Sequence, residues 1–159
     1  MPTTLKPVYT SHSAVTMTSL NSLANNAYAG SGAFNNTSTG YTDMLVSVRI
    51  TAGASGVSAT GSYTVYAFAD VDSVPTYTDS VTGTDAVQTP PSPTNLRPIG
   101  IGNCNANGGV FRAGPWSVAA VFGGRLPARW GLVVQNQSGA AFAASGHVVD
   151  AIGINDQGV

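Results

Sequence analysis

The 159-residue sequence contains no glutamate and a single lysine, Lys6. Charged residues make up only 8% of it, against about 25% in a typical soluble domain. Without Glu and Lys the chain lacks two common exposed helix formers, which argues against a helical fold. Its net charge is −1 and its six cationic residues form no run, so no basic surface for phosphates is expected, nor nucleic-acid binding. Cys104 stands alone, which excludes an internal disulfide and any zinc site built on cysteine pairs. No apolar run approaches the roughly 20 residues that span a bilayer, so no membrane partner is expected. The opening residues MPTTLKPVYT carry no apolar signal-peptide core.

Motifs for chemistry are equally scarce. The two histidines, His12 and His147, are far apart in sequence, and no Gly-x-Ser-x-Gly elbow accompanies them. The acids are all aspartates: Asp43, Asp70, Asp72, Asp79, Asp85, Asp150 and Asp156. No spacing sets two of them across a cleft, as glycoside hydrolysis requires. Asp70, Asp72 and Asp79 make a loose oxygen cluster, and a weak cation site between Asp70 and Asp85 is left open. An EF-hand would need a glycine and a distal glutamate that the chain does not have. The glycine-rich stretch 100–109 lacks the lysine of a phosphate loop. The chain is therefore expected to be neither an enzyme nor a holder of metal or cofactor.

What is abundant is Thr, Ser, Asn, Val and Tyr, with 19 glycines and 9 prolines, the vocabulary of strands and turns. Residues 42–51 alternate cleanly, with Met44, Val46, Val48 and Ile50 on one face. Residues 62–70 alternate too, but both faces carry apolar groups, so this strand is expected to be covered on both sides. The polar loop between the two suggests an antiparallel hairpin. Shorter strands are read in 11–23, 95–103 and 148–154, and 25–32 reads as a short strand or a loop. The stretch 71–93, polar and ending in Pro90-Pro91-Ser92-Pro93, reads as a long surface excursion. The densest apolar stretch is 115–140. Trp116 to Phe122 and Trp130 to Val134 read as two buried strands around Gly123-Gly124, a core hairpin anchored by Trp116, Phe122, Trp130 and Val133. Its second strand is expected to stop at the turn formers Gln135-Asn136-Gln137-Ser138-Gly139.

About eight short strands separated by Gly, Pro and Asn turns predict an all-β, antiparallel β-sandwich of jelly-roll type. Residues 1–10 are expected to form an extended arm, packed on its own domain or on a neighbour, and residues 11–159 a single domain. A surface this poor in charge is a weak design for a free monomer, because net charge keeps proteins apart. A partner is therefore expected to cover part of it. Leu5, Val8 and Tyr9 in the arm and Tyr77, Pro90 and Pro91 in the excursion are the contact residues the sequence suggests. A row of exposed tyrosines for sugar binding is the alternative.

Two segments carry a resemblance. WSVAAVFGGRLPARWGLVVQNQSGA (116–140) and MLVSVRITAGASGVSATGSYTVYAFAD (44–70), together about a third of the chain, resemble segments of small virion proteins of tailed bacteriophages. The resemblance implies a structural β-sandwich of the phage particle, assembled in the host cytoplasm and lacking a catalytic motif. Capsid decoration (cement) proteins, which clamp neighbouring major capsid subunits, are one such class; tail, fibre and baseplate components are others. Implied partners are the major capsid protein and further copies of the chain itself, as a dimer or trimer.

Overall fold

A computed structural model describes residues 4–72, 74–92 and 94–158. It is an antiparallel sandwich of two sheets. Its strands are β1 (Leu5–Tyr9), β2 (Ser13–Val15), β3 (Tyr28–Gly30), β4 (Phe34–Asn35), β5 (Asp43–Thr51), β6 (Ser62–Asp70), β7 (Ala86–Gln88), β8 (Arg97–Asn103), β9 (Val110–Ser117), β10 (Arg129–Gln137) and β11 (Val148–Gly158). Sheet I has the order β1-β11-β5-β9, with β2 also on β11; sheet II has the order β7-β3-β10-β6-β8, with β4 also on β10. Without the short additions β1, β4 and β7, the orders β2-β11-β5-β9 and β3-β10-β6-β8 are those of an eight-stranded jelly roll.

This order overturns both expected hairpins. β5 and β6 alternate as read, but they lie in different sheets and face each other across the core. The 115–140 stretch is divided in the same way. β9 ends at Ser117 in sheet I, residues Ala119–Phe122 wind into a 3-10 turn closed by Gly123 at φ 77°, and β10 begins in sheet II. An apolar run with a turn in the middle fits either geometry, because periodicity reports burial and not the sheet joined. Of the four expected anchors, Trp130 and Val133 are fully buried, whereas Trp116 and Phe122 are half-buried at the core margin.

Inside the sandwich, Met44, Val46, Val48 and Ile50 of β5 meet Tyr63, Val65 and Ala67 of β6 and Trp130, Leu132 and Val134 of β10. Trp130 stacks on Phe34, ring centroids 4.7 Å apart. Two glycines of β8 make room for rings: a Cβ on Gly100 would lie 2.1 Å from Trp116, and one on Gly102 would lie 2.2 Å from the Tyr63 ring. The seated Tyr63 hydroxyl donates to the Val48 carbonyl at 3.0 Å, a buried hydrogen bond from sheet II to sheet I.

β10 does not stop at Val134 but runs on to Gln137. Asn136, wholly buried, satisfies its amide completely. Nδ2 donates to the carbonyls of Leu23 and Ala140, both at 2.8 Å, and Oδ1 accepts from the Ser138 amide and hydroxyl. A residue read as a turn former is thus tolerated in a core strand because no polar atom of its side chain is left unmade.

The expectation that β6 is covered on both sides holds. Phe68 and Val133, on the outer face of sheet II, pack with Val81 and Leu96 from the excursion in a second apolar cluster. Gly131 lets this happen, since its missing Cβ would lie 2.3 Å from the Phe68 ring. The described residues of 71–96 therefore form a cover laid over one sheet through Tyr77, Val81 and Leu96, and β7 among them extends that sheet beside β3.

Replacing Tyr63 by Phe deletes the inter-sheet bond and leaves a buried carbonyl without its donor. A loss of about 1–3 kcal/mol in urea unfolding is expected; an unchanged midpoint would show that the bond contributes nothing. Cys104 is wholly buried, and burial pushes its thiol up from the ordinary range. It should resist aromatic disulfide reagents until denaturant is added, as read from absorbance with and without urea.

Candidate functional site

The two sheets differ on their outer faces. Sheet II is covered by its own chain. The outer face of sheet I has no such layer among the described residues. Alternation turns Leu45, Ser47 and Arg49 of β5 and Val148, Asp150 and Ile152 of β11 outward, all half-buried, while their neighbours point into the core. Leu45 and Ile152 stand directly opposite each other in the β5–β11 register. With Pro115 they form the apolar floor of a groove of about 260 Å³ across β11, β5 and β9, and Arg112, Ser47, Asp150 and His12 stand on its rim.

Electrostatics on this face are sparse. His12 Nε2 lies 2.6 Å from Asp150 Oδ1, an ion pair when the ring is protonated, with the histidine more than half exposed. Arg49 and Arg112 face each other across β5 and β9 in direct register, and the Nε of Arg49 is buried with no hydrogen-bond partner among the described residues. The margin of this face is the arm. Residues 5–9 form β1, which pairs with residues 154–158 of its own β11. The arm is thus an edge strand of its own sheet. Leu5 and Tyr9 stay largely exposed there, at 65% and 61%, while Val8 is half-buried. Its first three residues lie outside those described.

The other suggested contact residues are placed differently. Tyr77 packs edge-on against Phe68, ring centroids 5.0 Å apart, and fills the space over Gly83, so it is part of the cover's own packing. Pro90 is half-buried and Pro91 exposed in the cover, away from the sheet I groove. Tyr28 and Tyr66 lie 6.4 Å apart at the second cluster and Tyr41 packs over Gly153, so these three tyrosines do not form an exposed row.

The aspartates are distributed as fasteners. No three acidic, histidine or cysteine side chains converge on a metal-sized site among the described residues. Asp70, nearly buried, accepts from the Asp72 amide and lies 3.3 Å from Arg129, its cross-strand partner; the Asp72 hydrogen bond leads in holding its carboxyl below the ordinary range. Asp79 accepts from the Thr94 hydroxyl and from Asn95. Asp85 accepts from the amides and hydroxyl of Thr18 and Ser19. In both, burial pushes the carboxyl up, and these hydrogen bonds outweigh it and hold the carboxyl down. Sequence spacing did not show the roles of Asp79 and Asp85, because each of their donors lies 15 or more residues away. His147 is also structural: Nδ1 accepts from the Thr51 amide at 3.3 Å, so the neutral ring donates through Nε2 to the Ala143 carbonyl, and burial pushes its pKa down.

These shifts set the pH response. The unfolded chain takes up a proton on His147 near pH 6.5 while the folded ring resists, so stability falls as pH drops below about 6.5. The three aspartates keep their charge in the fold, so a second loss begins as pH falls below about 3.9. Thermal melts from pH 8 to pH 3 should show both steps, and His147→Gln should remove the first. A profile unchanged by that substitution would assign the first step elsewhere. Comparison with family models, curated proteins and solved structures finds no match to this chain.

Proposed function

We propose that this chain is a structural virion protein, a decoration (cement) subunit that docks on the lattice of major capsid protein through the outer face of sheet I. The observation that carries this reading is the asymmetry of cover. One sheet is sealed by 71–96, and the other leaves a groove floored by Leu45, Ile152 and Pro115. The exposed Leu5 and Tyr9 lie on the edge strand of that same sheet and extend the contact area. The low overall charge and the resemblance of segments 44–70 and 116–140 to phage virion proteins support the same reading.

The work of such a protein is mechanical. Binding to the assembled shell and not to its dissociated subunits stabilises the assembly by mass action. Contacts repeated over a lattice gain further from multivalency. An apolar floor with few ion pairs gives binding that salt screens little.

The test is light-scattering mass of phage shells that lack the protein, titrated with it. Saturation at a fixed ratio that survives about 1 M salt is the expected result. Leu45→Thr combined with Ile152→Thr, both outward-facing and compatible with a strand, should keep the cooperative melt and strongly weaken saturation. Binding by that variant equal to the parent, or stripping by salt, would overturn the reading.

A further inference from the structure

A second cleft, of about 540 Å³, opens where β6 ends and β8 and β10 begin, and it is separate from the groove on sheet I. Its charge is unusual for this chain. Of the five arginines in the sequence, Arg97 and Arg125 line the cleft, and Arg129 lies at its back, bound to Asp70. The Asp70 carboxylate, which also lines the cleft, is thus already matched by Arg129, which donates a second bond to the Asp72 carbonyl at 2.6 Å. Arg97 and Arg125 make no ion pair and no side-chain hydrogen bond among the described residues. Arg97 and Arg125 are therefore unmatched on the cleft among the described residues; with the Asp79 carboxylate, which borders the rim through its bonds to Asn95, the cleft and its rim together keep an excess of one positive charge.

The remaining wall narrows the ligand class. Phe122, Leu126 and Pro127 supply an apolar side. Thr78 adds a hydroxyl, and Asn95, whose Nδ2 donates to Asp79 Oδ1 at 2.9 Å, adds its side-chain carbonyl. Guanidinium groups match planar oxyanions bidentately, which a lysine does not. Volume and lining fall in the range of small-molecule sites, largely apolar with a few converging polar groups. A ring that presents a carboxylate to the arginines, hydroxyls to Thr78, Asn95 and Asp70, and a C–H face to Phe122 and Pro127 uses every part of this wall. We propose that the cleft binds an acidic saccharide unit, a hexuronate-type ring whose carboxylate is held by Arg97 and Arg125. An extended acidic peptide would use little of the hydroxyl-matching rim. This site is independent of the sheet I groove, and either reading can fail without the other.

Glucuronate is the probe, with glucose and acetate as controls, followed by amide chemical shifts of the labelled whole protein. Saturable shifts centred on the cleft, at Asp70, Thr78, Asn95, Arg97, Phe122 and Arg125, are expected with glucuronate and not with glucose. Arg97→Ala with Arg125→Ala should weaken binding at least about tenfold while the melting temperature holds, because neither side chain has a partner to lose among the described residues. Shifts that never saturate overturn the proposal, as does acetate binding equal to glucuronate or a double variant that binds like the parent. The glucuronate-against-glucose comparison needs no variant and decides the matter even if the double substitution does not fold.

Discussion

Strand β10 runs through the middle of sheet II with apolar neighbours on both sides. Trp130, Leu132 and Val134 enter the sandwich, and Val133 enters the outer cluster with Phe68. Keeping both sides of one strand dry requires two layers, and the second has to come from the chain itself. That requirement accounts for the long 71–96 excursion, for Gly131 beneath Phe68, for Asp79, which closes the excursion on itself, and for Asp85, which ties it to Thr18 and Ser19. Magnitudes rank these contributions. Truncating a buried aromatic such as Trp130 costs about 3–5 kcal/mol, whereas a largely exposed ion pair such as His12–Asp150 contributes at most about 1. The molecule is held by burial, and its few charges position loops.

This division explains how so charge-poor a chain supports long loops. A loop needs its backbone amides satisfied. Where other proteins draw on many polar side chains, Asp79 and Asp85 each serve two or more donors on distant segments. Asn136 works in both directions inside the core, donating to the Leu23 and Ala140 carbonyls and accepting from Ser138. Each such residue joins stretches far apart in sequence, so the fold is stitched at a few polar points between two apolar layers.

The strands themselves were legible in the sequence. The limits of β6 and nearly those of β5 follow from alternation, and apolar groups on both faces of 62–70 announced the outer cover. Sheet membership was not legible, because β5 with β6 and β9 with β10 each look like a hairpin by pattern and are separated only by three-dimensional packing. The misreading of 118–122 as strand has the same root: Val118 and Ala119 are buried whether the backbone extends or coils. Of the surface features, exposed Leu5 and Tyr9 could be read from composition. The Leu45–Ile152 floor could not, since it depends on which strands adjoin, and neither could the gathering of Arg97, Arg125 and Arg129, which lie up to 32 residues apart.

The cover over sheet II has a consequence for how the molecule comes apart. It touches the outer cluster through a handful of side chains, Val81, Leu96 and Tyr77 chief among them, and contributes nothing to the interior between the sheets. Its opening therefore leaves the two-sheet interior standing, and its free energy of opening lies below that of the whole domain. Hydrogen exchange is expected to divide the molecule into two cooperative units, the sandwich and its lid. The partly open state shows Phe68 and Val133 to solvent, turning the sealed side of the molecule, for as long as it lasts, into its most adhesive one.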